Sequence, residues 1–157
     1  HLQNRTIALK TLEIIPVIMR VMSAQMRIGT VMVSTSHIVV MRILLDGRTT
    51  LSELAKSTQV TLPTMSNTIT ALEERGWVTR QRDEHDRRVV WIEITDDGRT
   101  IYHQVQEHMV DQIAALLDTL TQGDQEKVST ALTLLNQAFA QGIAKYPGFA
   151  EPQVTNE

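Results

Sequence analysis

Between Leu51 and Gly98 the chain sets two short amphipathic helices around a brief turn, then runs directly into two β-rich segments joined by a charged turn. Thr50-Leu51-Ser52-Glu53-Leu54-Ala55 opens the first helix, with Thr50 as N-cap and Glu53 as its capping-box partner. That helix stops near Ser57-Thr58, and Val60 is expected to be the buried residue of the turn. Thr61 caps the second helix, and Pro63 falls in its first turn, where a missing N–H is tolerated. Met65, Ile69 and Leu72 recur at i, i+4 and i+7 to give its inner face, and Gly76 supplies the stop. Trp77–Arg80 and Val89–Ile94 then read as paired strands on either side of the charged stretch Gln81–Arg88.

Helix, turn, helix and two-stranded wing in immediate succession make a winged helix-turn-helix. Long helices flank it. Leu2 to about Arg27 carries Leu9, Leu12, Ile15, Met19, Met22 and Met26 at helical spacing, with Pro16 expected to kink it and Gly29-Thr30 to end it. Ser34 caps a second helix with Ile38, Met41, Leu44 and Leu45 on its apolar face, closed by Asp46-Gly47. Thr95-Asp96-Asp97-Gly98 caps a helix to about Leu120, and Thr121 caps a last one with Val128, Leu132, Leu135 and Phe139 inward. The expected fold is therefore mainly α with a small β-hairpin wing. Residues 34–98 form the winged helix-turn-helix, with the reading helix at 61–75 and the wing at 77–94. Residues 1–30 and 99–145 form a helical region placed to build a dimer across a two-fold axis, and 146–157 a loose tail.

With Met65, Ile69 and Leu72 turned inward, the outward face of the 61–75 helix presents Pro63, Thr64, Ser66, Asn67, Thr70 and Ala71. Small hydroxyl and amide side chains let a helix sit close in the major groove, and Asn can pair bidentately with adenine. Ser34, Ser36, Thr50, Ser52, Arg75 and Arg80 are candidate phosphate contacts. In the wing, Asp83-Glu84-His85-Asp86-Arg87-Arg88 places acids and arginines on a tight turn. Asp86 is expected to hold the Arg88 side chain extended for a narrow minor groove, with Arg87 towards phosphate. The competing reading is a winged-helix protein–protein interaction module without specific DNA binding.

Charge is uneven along the chain. Residues 1–48 hold six basic and two acidic residues, 49–95 six and seven, and 96–157 three and nine. The acidic end should lie away from phosphate, while the near-neutral middle keeps the protein-interaction alternative open. There is no cysteine, which removes disulfides and thiol redox chemistry and suits a cytoplasmic location, and no apolar run is long enough for a membrane span. No Gly-rich phosphate loop, zinc-protease motif or nucleophile elbow is present, so the chain reads as a non-enzyme without cofactor. His103 and Glu107 share a helix face at i, i+4, near His108 and Asp111, but two ligands do not complete a metal site, and none is expected.

The stretch Leu51–Gly98 resembles the MarR family of bacterial transcriptional regulators. The resemblance is carried by Leu54-Ala55, Met65-Ser66, Ile69, Leu72-Glu73, Gly76-Trp77-Val78-Thr79-Arg80, Asp83, Asp86-Arg87-Arg88, Ile94-Thr95 and Gly98. The wing's Asp-x-Arg followed by Thr-x-x-Gly is its most specific part. It implies a homodimer joined by the first and last helices, acting on double-stranded DNA at a palindromic operator. Repression relieved by a small anionic or aromatic effector is implied as well. By the same resemblance an effector would lie between the dimer helices and the winged domain, near Met19, Met22, Met26, His37 and Met41, with Arg20 or Arg27 as anion partners.

Overall fold

Four Ser/Thr caps divide the central part of the chain, and each lies where the sequence places it. The structure, a computed structural model, describes residues 2–24 and 27–145. Helix α1 (Leu2–Ala24) leads into a small hairpin, β1 (Arg27–Ile28) and β2 (Val31–Met32), turned at Gly29 with φ +58°. Helix α2 (Thr35–Leu45) is capped by Ser34, whose hydroxyl accepts from the His37 N–H at 3.3 Å. Strand β3 (Thr49–Thr50) runs straight into α3 (Leu51–Thr58), where the Thr50 hydroxyl accepts from the Glu53 N–H. The Glu53 carboxylate accepts from the Thr49 hydroxyl. Helix α4 (Leu62–Glu74) is capped by Thr61 and followed by β4 (Val78–Arg82), β5 (Val90–Ile94), α5 (Asp96–Leu117) and α6 (Gln122–Lys145).

Apart from the β1-β2 hairpin, strands β3, β4 and β5 form an antiparallel sheet in the order β3-β5-β4, with Thr50 opposite Trp91 and Gln81 also opposite Trp91. The sheet closes one side of a core that the helices fill from the other. Met41 and Leu44 of α2, Leu54 of α3, Ile69 and Leu72 of α4, Ile92 of β5 and Val105 of α5 are all sealed from solvent. The result is a winged helix-turn-helix, mainly α with a small β wing.

One contact fixes how α5 leaves the sheet. The Thr95 hydroxyl donates to the Gly76 carbonyl at 2.6 Å and accepts from the Gly98 N–H at 3.0 Å, while the Thr95 N–H donates to the Trp77 carbonyl. A side chain at Gly98 would overlap that same Trp77 carbonyl oxygen. The Thr-x-x-Gly pattern is therefore a docking device: threonine ties the helix start to the Gly76-Trp77 segment that leads into β4, and glycine permits the close approach.

Several expectations change. Arg27 belongs to β1 and not to the first helix, and the two-residue strands β1, β2 and β3 add to the expected pair. Val60 is 38% exposed, because Met65 and Leu54 already fill the core beneath the turn. On α6, Val128 and Leu135 are half-buried, but Leu132 and Phe139 are exposed and nothing on the helix is fully buried within one chain. On α1, Leu9, Leu12, Ile15 and Met19 are likewise exposed. Met26 and the 146–157 tail lie outside the described residues. No helix among the described residues is long and apolar enough to cross a membrane.

Candidate nucleic-acid interface

Helix α4 buries Met65, Ile69 and Leu72 and leaves Pro63, Thr64, Asn67 and Thr70 exposed, with Ser66 and Ala71 half-buried on its flanks. Asn67 lies two residues before Ile69, which at 100° per residue puts it on the opposite side of the helix. The hydroxyls of this face are locally engaged: Thr64 bonds to Thr61 at 2.9 Å and Thr70 donates to the Ser66 carbonyl at 2.9 Å. A hydroxyl keeps spare acceptor capacity after donating.

The wing turn is organised by Asp83. Its Oδ1 accepts the N–H groups of His85 and Asp86, both at 2.9 Å, and its Oδ2 accepts the Trp91 indole N–H at 2.8 Å. The indole bond first, then the Asp86 and His85 N–H groups, hold the Asp83 carboxyl down to about 2. Arg48 completes the cluster, stacking 4.6 Å over the Trp91 ring and pairing with Glu93 at 3.6 Å. The expected role of Asp86 is corrected. Its carboxylate accepts the backbone N–H of Arg88 at 3.0 Å and so shapes the turn instead of gripping the guanidinium. Arg87 and Arg88 are exposed at the tip.

Two expected phosphate contacts are held by the protein itself. Arg80 on β4 reaches α4, donating to the Ser66 carbonyl at 3.3 Å and Thr70 Oγ1 at 3.2 Å and pairing with Glu73 at 3.3 Å. Arg75 donates to the Met32 carbonyl at 2.6 Å and stacks over Trp77. Ser36 is exposed and bonded to Ser34, Ser52 is exposed in the first turn of α3, and Thr50 serves as the α3 cap.

The expected effector residues are dispersed. Met41 is fully buried in the core, so it faces no open pocket, whereas Met19 is exposed. Met22 lines a shallow recess with Met109 and Ile113 of α5 that has no room for a ligand. His37 is half-buried with its ring edge towards Trp77, 6.4 Å between centroids, and its Nδ1 is buried without a hydrogen-bond partner among the described residues. Burial, then the nearby Arg75, lowers its pKa. Arg20 and Arg27 are exposed. The described residues contain no group of three His, Asp or Glu able to hold a metal, His103 and Glu107 included.

The sequence reading missed the Arg48–Trp91–Asp83 cluster. Asp followed by two residues with free N–H groups is a recognisable turn former, and that signal was available at Asp83. The Trp91 and Arg48 partners depended on strand register.

Residues 33–90 match the family model of the MarR family. Among curated proteins, the chain is 25% identical over 91 residues to the uncharacterized HTH-type transcriptional regulator YwhA of Bacillus subtilis, covering 58% of this chain and 66% of that one. It is 30% identical over 82 residues to the HTH-type transcriptional repressor YetL of the same organism, covering 52% and 48%. The match thus spans between 38% and 66% of the length of these and similar curated relatives. Among solved structures, a MarR family protein from Bacillus stearothermophilus superposes with a TM-score of 0.72 at 24% identity, over 87% of this chain and 97% of that one. Sco3205 of Streptomyces coelicolor, a MarR family transcriptional regulator solved in complex with DNA, gives 0.61 at 20% identity, over 88% of each chain. These two likenesses show a shared fold.

Proposed function

We propose that this protein, whose residues 33–90 match the model of the MarR family, is a sequence-specific DNA-binding transcriptional regulator, a non-enzyme acting as a homodimer on a palindromic operator. The observation that carries this reading is the pairing of two surfaces. The exposed Pro63–Asn67–Thr70 face of α4 is tied through Arg80 to β4, the strand that leads into a wing turn whose backbone Asp83 fixes and whose tip exposes Arg87 and Arg88. A helix face of small polar groups fits the major groove, and arginines on a stiff turn fit the flanking minor groove. The DNA complex of the similarly folded Sco3205 supports the same reading.

The dimer would form through residues 1–30 and 99–145. Support comes from the apolar side chains that α1 and α6 leave uncovered, including Leu12, Ile15, Leu134 and Phe139 along an apolar groove of about 820 Å³ between the two helices. Residues 34–98 would then be the DNA-binding unit, with the acidic 96–157 segment held away from phosphate. Repression is the favoured sense, as in the relative YetL, a transcriptional repressor. A small anionic or aromatic effector would act through its differential affinity for two dimer geometries.

Selection of bound duplexes from a random DNA library, at a stated moderate salt concentration, tests the reading. Enrichment of an inverted repeat with half-site centres about 10 bp apart supports it. Weak, salt-sensitive binding with no enriched motif would leave the protein-interaction module standing in its place.

A further inference from the structure

The N-terminal tip of α4 carries an apolar side chain that the fold does not use. Val60 and Met65 line one recess with Val39 and Val40, the arrangement of a hydrophobic staple across the Thr61 cap. Leu62 belongs to neither that recess nor the core cluster of the described residues, and it is 49% exposed. Pro63 beside it is exposed too, so the first turn of α4, beyond the edge of the core, ends in a small apolar surface.

In a helix-turn-helix, the N-terminal residues of the second helix meet the base edges. Those edges offer donors, acceptors and a single apolar group, the C5-methyl of thymine. We infer that Leu62, with Pro63 beside it, selects a thymine in each half-site by packing against its C5-methyl. Leu62 is position N1 and Asn67 is N6, so the two sit more than one turn apart along α4 and read different base pairs. The inference rests on the DNA-binding reading above, and it adds an apolar specificity element to an interface otherwise made of hydroxyl, amide and guanidinium groups.

Replacing thymine by uracil in a bound duplex removes only the methyl and leaves every hydrogen-bonding group in place. The test takes the motif enriched by the full chain and changes each thymine to uracil in turn. One position per half-site should lose roughly fourfold in affinity, and roughly fifteenfold when both half-sites are changed, the worth of one and two buried methyl-sized groups. In Leu62→Ser and Leu62→Ala the thymine and uracil duplexes should bind within twofold of each other (about the scatter of such measurements) at that position, with helix content and melting temperature as in the parent. Parent protein that binds its motif without distinguishing uracil from thymine at any position overturns the inference while leaving the regulator reading intact. So does discrimination that survives both Leu62 variants. Failure to enrich any motif overturns both.

Discussion

The indole N–H of Trp91 donates to Oδ2 of Asp83 at 2.8 Å, joining the first part of β5 to the start of the turn that precedes it. Because the other oxygen of Asp83 already takes the His85 and Asp86 N–H groups, one carboxylate fixes both the turn and its angle to the sheet. On the proposed DNA-binding reading, Arg87 and Arg88 would therefore project from a backbone whose position is set before any DNA arrives, which would reduce the ordering cost of inserting them.

That carboxylate should report itself in a titration. Its folded pKa lies near 2, below the ordinary 3.8, so its bonds contribute stability above the ordinary value, and that contribution is lost as pH falls from there through the folded one. The Trp91 indole proton resonance should shift with a midpoint near 2, and in Trp91→Phe the Asp83 carboxyl should move back towards 3.8. A midpoint at the ordinary value in the parent protein would show that the indole bond does not hold in solution.

The caps and the α4 core were legible because their signals are local. Ser34, Thr50, Thr61 and Thr95 each precede a helix and meet the N–H three residues on. What sequence could not supply were contacts set by tertiary distance. Thr49-Thr50 is too short to read as a strand, and its partner residues Trp91-Ile92 lie some forty positions away. Choosing between Asp83 and Asp86 as the organiser required knowing which one meets the Trp91 indole across the hairpin. Arg75 and Arg80 looked like free cations until the fold brought Met32, Ser66 and Glu73 within reach. Met41 carries no mark that separates a core residue from a pocket residue on the same helix face.

Gly98 makes a prediction about stability alone. Alanine there would drive its methyl into the Trp77 carbonyl and bring it within 2.8 Å of an Ile94 side-chain carbon. Overpacking of this kind costs ~1–3 kcal/mol. For a chain of this size that corresponds to a fall of several degrees in melting temperature, roughly 2–4 °C per kcal/mol. An unchanged thermal transition in Gly98→Ala would mean that α5 does not dock on Trp77 as described.

His37 predicts a pH dependence nearer neutrality. Its ring is half-buried against Trp77 and beside Arg75, so the folded state disfavours the imidazolium and its pKa falls below 6.5. The unfolded chain then binds more protons below that value, and stability is complete above it and declines as pH drops through the window beneath. Urea unfolding midpoints at pH 7.5 and 5.5 should differ more for the parent than for His37→Gln, since the remaining histidines titrate in both. Equal differences would place His37 in contact with solvent.

Arg80 and Arg88 share a charge and should fail differently. Arg88 is exposed at the wing tip, so Arg88→Ala should weaken operator binding by more than ~1 kcal/mol and reduce the slope of log K against log salt by about 1 per protomer. Arg80 is bound to Ser66, Thr70 and Glu73, where its charge is already paired and it acts by positioning α4 on β4. Arg80→Ala should also lower affinity, but with a salt slope near that of the parent and a broadened base preference at the positions α4 reads. Arg80→Lys should recover part of the Glu73 pairing and part of that preference, though it cannot reproduce the forked contact to Ser66 and Thr70. If Arg80→Ala instead lowers the salt slope as Arg88→Ala does and leaves base preference unchanged, Arg80 releases α4 on binding and contacts phosphate directly.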